Sequence, residues 1–322
     1  MTGGGVRNRL AWLVLAFVIA LAGCNSSGKK VIAVIPKATS HLFWVSVQTG
    51  AQAAGKEFGV EIVWNGPAQE TDYSRQIQIL DSMVARHVDG IVIAATERKA
   101  LVGSIDRAAA AGIPLTVFDS GVDTTNYVSF VATDNVEGGR LGGRTLGQLL
   151  GGKGKVAMIM NAPGSGSTMD RERGFTEVMA KEFPNIQVVA TQYGMSDRAK
   201  AMSASENILT AHPDLDGIFA SSEPSSVGAA LAIKGRGISG KVKLVAFDSS
   251  DGLLEDLKGG TISAMVVQDP FKMGFEAVRT VVDKIHGKIP PKQLDLAARV
   301  IVKADLEKPE LKRMLSPAVS RQ

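Results

Sequence analysis

The sequence predicts an α/β protein built as two doubly wound parallel-sheet lobes, and three observations carry that prediction. From Val31 onward, short β-branched runs alternate with longer amphipathic ones. The short runs are apolar at consecutive positions, as in strands covered on both faces. The series restarts near residue 132, and some eleven strands over about 290 residues are many for one such sheet, so two similar halves fit better.

The elements follow in order. Val31–Ile35 reads as a buried strand, and 42–58 as a helix with Phe43, Val47, Ala51, Ala54 and Phe58 at spacings of three and four. A strand over 61–64 leads to a helix over 72–86 with Ile77, Leu80, Met83 and Val84 on one side. A third strand covers 90–93 and a helix 98–111, stopped by Gly112. The fourth strand, 113–118, is entered through Pro114, and the fifth covers 127–131. After a helix over 135–150 and a glycine-rich turn, strands at 156–160, 186–190, 216–220, 242–247 and 261–267 alternate with helices at 168–182, 197–211, 224–235, 250–257 and 271–286. A last strand covers 299–302. Gly138-Gly139 and Gly142-Gly143 are read as sites of close helix packing.

Composition narrows the function. Of 322 residues, 45% are apolar and 21% charged, which is globular and excludes a disordered chain. A single Cys excludes an internal disulfide framework and a Cys-based zinc site, and four scattered His make no cluster, so neither metal nor cofactor is expected. The net charge of +4 is small and unclustered, which argues against nucleic acid. Arg7 and Arg9 supply two of those four charges and lie in a segment read as removed, leaving about +2.

That segment is 1–23. Arg7 and Arg9 precede an apolar run from Leu10 to Ala22, too short for a bilayer span of roughly 20 residues but right for the core of a signal peptide. It ends in Leu21-Ala22-Gly23-Cys24. The only Cys directly after small residues resembles the lipobox of bacterial lipoproteins, which implies lipidation of Cys24, with 24–30 as linker. Two or three acyl chains anchor stably, at about 0.8 kcal/mol per buried CH₂.

In parallel sheets ligands bind beyond the carboxyl ends of the strands. Those ends carry Pro36-Lys37-Ala38-Thr39-Ser40-His41-Leu42-Phe43-Trp44, Asp119-Ser120, Asn161 to Ser167 with Arg171 beyond, Ser221-Ser222-Glu223, Asp248-Ser249-Ser250 and Gln268-Asp269-Pro270. Carboxylates, amides and a guanidinium around aromatic faces are chemistry for a polyol. Ser222, Ser250 and Thr39 or Ser40 also suit helix N-caps. Arg171 also has Asp134 and Glu172 as candidate structural partners. Asp119 and Asp248 would also suit a glycosidase pair. No Gly-Lys-Ser/Thr follows Gly164-Ser165-Gly166-Ser167, which excludes a P-loop.

These residues resemble the type I periplasmic sugar-binding proteins, the ribose-binding-protein-like receptors of ABC importers, over roughly Val31 to Lys303. The resemblance rests on Phe43-Trp44, Gly112-Ile113-Pro114 before Asp119, Thr133-Asp134-Asn135, Arg171-Glu172-Arg173-Gly174-Phe175, Leu209 to Asp214, Phe247-Asp248 and Gln268-Asp269-Pro270. It implies a monomeric receptor, without catalytic residues, that closes on a sugar-like solute and hands it to a membrane permease. It implies lobes over 31–132 plus 269–292 and 133–268 plus 293–312, with a tail over 313–322. Three hinge strands would cross near 132, 268 and 293. Phe43 and Trp44 match the family's ring-sandwiching aromatics. Asp119, Arg171, Asp248 and Gln268 match its polar contacts. The chain departs from it at His41 and Ser222, where Asn is usual, at Ser120, where Arg is, and at Ala94 and Ser196. An unpaired hydrogen bond in a closed site costs about 1–3 kcal/mol, so ribose itself does not carry over. A sensor or chemotaxis receptor, an exported glycosidase and, last, a sugar-responsive repressor are the alternative roles.

Overall fold

A computed structural model describes residues 28–315. The expected signal peptide, Cys24, and the tail from 316 on lie outside the described residues. The first sheet holds β1 (Val31–Ile35), β2 (Glu61–Trp64), β3 (Gly90–Ile93), β4 (Leu115–Phe118), β5 (Ser129–Thr133) and β11 (Gln293–Leu296) in the order β11-β5-β4-β3-β1-β2, all parallel. The second holds β6 (Lys153–Met160), β7 (Asn185–Tyr193), β8 (Gly217–Ala220), β9 (Lys243–Phe247), β10 (Ala264–Val267) and β12 (Arg299–Ile301) in the order β12-β10-β9-β8-β6-β7. Only β12 runs antiparallel there, against β10.

Nine helices of nine residues or more cover these sheets among the described residues: α1 (Leu42–Phe58), α2 (Tyr73–Ala85), α3 (Val102–Ala110), α4 (Asn135–Leu149), α5 (Gly166–Glu182), α6 (Arg198–Ala211), α7 (Glu223–Gly235), α8 (Asp251–Gly259) and α9 (Pro270–Ile285). The consecutive apolar runs have the expected cause. Ile32 and Val34 pack into one core with α1 and α9, while Ala33 and Ile35 pack into another with α2 and α3. Successive side chains point to opposite faces, so both faces of β1 are dry.

The two halves repeat one plan. In the first, α1 crosses α9; in the second, α5 crosses α4. The crossings use glycine at matching places. A Cβ on Gly50 would overlap the carbonyl of Phe271, and one on Gly274 the carbonyl of Val47. In the second half Gly139 meets the carbonyl of Arg171 and Gly174 that of Val136. Gly50 and Gly174 are the ninth residues of their helices, Gly274 and Gly139 the fifth. Backbone therefore lies on backbone, which sets the height of both helix pairs above their sheets.

The sequence reading errs at three places. The resemblance places 293–312 in the second lobe, yet Gln293–Leu296 pair in register with Phe130–Thr133 of the first sheet. The third passage between sheets therefore lies at 297–298, not near 293. At the other end of that segment, Leu311 and Leu315 are buried in a second-sheet core, so the lobe runs past 312 into the expected tail. The helix expected from 98 starts at Val102, because Glu97 Oε2 accepts the amides of Lys99 at 2.8 Å and Ala100 at 2.5 Å and holds a turn there. No described helix is long and apolar enough to cross a membrane.

Glycine at the α4–α5 crossing gives a direct test. Gly139→Ala is expected to lose about 1–3 kcal/mol in urea denaturation through overpacking. Gly252→Ala, with open space around the added methyl, is expected to stay within about 0.5 kcal/mol of the parent.

Candidate functional site

Asp119 and Asp248 occupy equivalent places, each directly after a strand, β4 or β9. Both take left-handed backbone, with φ of 56° and 69°. Asx residues tolerate this region better than most, at some cost. Each amide still bonds the neighbouring strand: Asp119 N donates to Val131 O at 3.0 Å and Asp248 N to Val266 O at 2.8 Å. The turn aims both carboxylates at one cavity between the sheets. About 340 Å³ of empty space lies there, part of it open to solvent.

His41, Phe43, Trp44, Asp119, Arg171, Ser222, Asp248 and Gln268 all line that cavity. Ser120 does not; its Oγ accepts the Ser167 amide at 3.0 Å, making it a contact between the halves. Ser222 is both wall and cap, since its Oγ accepts Ser225 N at 3.5 Å. Ser250 caps α8, but His41, whose side chain makes no capping bond, stands at the N-cap of α1 in place of Thr39 or Ser40. Ala94 and Ser196 are buried but not in this wall.

Sequence reasoning missed Glu70 altogether and gave Lys37, Asn161, Ser167 and Glu223 no role. Glu70 follows β2 and lines the cavity. It accepts Trp44 Nε1 at 2.8 Å and, from the other half, Asn161 Nδ2 at 3.3 Å. The Lys37 ammonium is buried, reaches Asp119 Oδ2 at 3.0 Å and donates to Ser165 and Ser167 of the other half at 3.1 and 2.9 Å. Arg171 Nε donates to Asn135 Oδ1 at 2.8 Å and Nη1 to Ser221 O at 3.0 Å, while its guanidinium lies 4.0 Å from the Phe247 ring centre. Its partners are thus Asn135 and Asp248 rather than Asp134 or Glu172. Gln268 spans a passage between sheets: it accepts Thr133 Oγ1 and donates to Asp248 Oδ1, both at 2.6 Å. Trp44 meets Phe43 and Phe118 edge-on, at 4.9 and 6.1 Å between centroids.

Charge in the wall is paired. Asp119 has Lys37 at 3.0 Å, Glu70 has His41 at 3.4 Å, Asp248 has Arg171 at 4.0 Å, and Glu223 has Arg198 at 2.5 Å. Burial raises the Asp248 carboxyl above the usual range, against the pull of Arg171 and Gln268. Burial would raise Glu70 too, but His41, Lys37 and Trp44 outweigh it and hold that carboxyl well below its ordinary value. Burial would lower His41; Glu70 and Glu223 outweigh it and raise the imidazole. Behind the wall, burial lifts Glu172 from the ordinary 4.5 to about 7, although it accepts Asn161 N at 3.1 Å and Ser221 Oγ at 2.9 Å. Among the described residues no group of three or more His, Cys, Asp or Glu is placed to hold a metal ion.

Comparison with known proteins follows the same outline. The profile of a family described as periplasmic binding protein domain matches residues 32–289. A D-ribose/D-allose-binding protein of Pseudomonas aeruginosa is 30% identical over 272 residues, 82% of this chain and 85% of its own length. A ribose import binding protein of Bacillus subtilis is 29% identical over 266 residues, 82% of this chain and 85% of its own. Among solved structures, a carbohydrate transporter solute-binding protein from Agrobacterium radiobacter in complex with D-arabinose superposes with a TM-score of 0.88 at 34% identity, covering 90% of this chain and 100% of that one. An ABC transporter solute-binding protein from Agrobacterium vitis with bound α-D-tagatopyranose gives 0.86 at 32%, covering 89% and 99%.

Glu172 makes a pH test. Between 4.5 and about 7 its carboxyl is protonated in the folded chain and ionised in the unfolded one, so its contribution is complete below 4.5 and is lost as pH rises to about 7. Urea denaturation at closely spaced pH values should show that decline in the parent and a flatter profile across the window in Glu172→Gln.

Proposed function

The chain belongs to the periplasmic binding protein domain family, and from that premise we propose that it is the sugar-binding receptor of an ABC-type importer, exported and lipid-anchored through Cys24. The family is one of receptors, not enzymes: the ligand is held, released to a membrane permease and left chemically unchanged. The solved relatives carry D-arabinose and tagatopyranose, which supports a monosaccharide here.

One observation carries the reading. Asp119 from the first half and Arg171 and Asp248 from the second line the same cavity with Phe43 and Trp44. A ligand touching both sides gains contacts that exist only when the halves are together, and this differential affinity favours closure. The working division is a first lobe over 31–133 and 270–296 and a second over 134–267 and 299–315, with Gln268-Asp269 and two other passages as the hinge. The receptor is read as a monomer, as the family resemblance implies. His41, Ser222 and Gln268 are read as further polar contacts.

A thermal-shift screen of pentoses, hexoses and polyols should raise the melting temperature with at least one neutral sugar, since a ligand bound only to the folded state stabilises it. With that sugar, Asp119→Asn and Asp248→Asn should each weaken calorimetric affinity about tenfold or more while remaining folded. Unchanged affinity in both variants would contradict the site.

A further inference from the structure

Glu223 opens α7, and its side chain is 1% exposed. Its Oε1 accepts Arg198 Nη2 at 2.5 Å, and its own amide donates to Asp248 Oδ2 at 3.0 Å. Its Oε2 is buried with no hydrogen-bond partner among the described residues, and the residue lines the cavity. The wall carboxylates of Glu70 and Asp248, by contrast, have a donor on both oxygens. Nearly all buried polar atoms in folded proteins are satisfied, and an unmatched carboxylate oxygen is costly. The missing donor at Glu223 is therefore expected from whatever fills the cavity.

A hydroxyl or an ammonium would serve as that donor. The pairing of charge decides between them. Arg198 already balances Glu223, and Lys37, His41 and Arg171 balance the other three carboxylates of the wall. A cationic or anionic ligand would add an uncompensated charge to a buried site. We propose that Glu223 is a specificity-determining ligand contact whose free Oε2 accepts one hydroxyl of an uncharged sugar, while the paired charges of the wall disfavour amino sugars, sugar acids and sugar phosphates. This rests on the sugar-receptor reading above and adds to it a named contact and a charge class.

The test uses an asymmetry in the site. In Glu223→Gln, Arg198 can donate only to the amide oxygen, so the amide NH₂ replaces Oε2 in the cavity. An acceptor thereby becomes a donor. The probes are D-ribose, D-allose, D-arabinose, D-tagatose and D-fucose, titrated calorimetrically into the parent chain. The tightest is carried forward with its monodeoxy and amino analogues. The parent should lose about tenfold or more in affinity for one monodeoxy analogue and for the amino analogue. Glu223→Gln should lose as much for the intact sugar, yet bind that same deoxy analogue about as well as the parent does, which also shows that the variant is folded. Intact-sugar affinity within about twofold of the parent would overturn the contact while leaving the receptor reading in place, and would mean that only water satisfies Oε2. An amino analogue bound more tightly than the sugar would overturn the charge class. No binding of any probe to the parent would remove the receptor reading, and this inference with it.

Discussion

Four carboxylates line one cavity, and the fold tolerates them because each has a basic side chain within 4.0 Å. Removing one partner from such a pair leaves a bare buried charge, which costs far more than the pair itself contributes. The rest of the site follows from that constraint. Lys37 must sit deep enough to reach Asp119, so its remaining donors go to Ser165 and Ser167 across the cleft. Glu70 must hold His41 and Trp44, and its second oxygen reaches Asn161. Lys37 and Glu70 thus pair charge within their own half and bond across to the other. The wall that results is strongly polar but close to neutral, which suits a ligand rich in hydroxyls and poor in charge.

Internal repetition explains why the two acidic contacts face each other. β4 and β9 hold the same place in their sheets, and Asp119 and Asp248 leave them through the same left-handed turn. Glycine crossings at equivalent helix positions hold both halves to one geometry. The halves differ in what surrounds each carboxylate. Asp119 meets a lysine and a serine, whereas Asp248 meets a guanidinium, an amide side chain and a backbone N–H. The shared backbone plan therefore supplies the opposed carboxylates, and the unlike neighbours make the two sides chemically distinct.

Much of this was legible in the sequence because strand ends are easy to find. Asp119, Arg171, Asp248 and Gln268 follow apolar runs that read clearly as buried strands, and all four line the cavity. Glu70 was not legible. It lies six residues beyond Trp64, in a loop whose residues carry no periodicity, and only the rule that ligand groups lie past strand ends would have singled it out. Lys37 stood in a strand-end segment, but a lysine there reads as solvated, and its burial depends on serines 128 and 130 residues away. β11 escaped because its Gln-Leu-Asp-Leu alternation is only four residues long. Its place is set by Leu294 and Leu296 packing into the first-sheet core, which no local pattern reveals.

The most direct test is a crystal structure of the chain grown with its tightest-binding sugar. The account requires one ring lying between Asp119 on one side and Arg171 and Asp248 on the other, with hydroxyls bonded to both halves. A sugar seated outside this cavity, or bonded to one half alone, would contradict it.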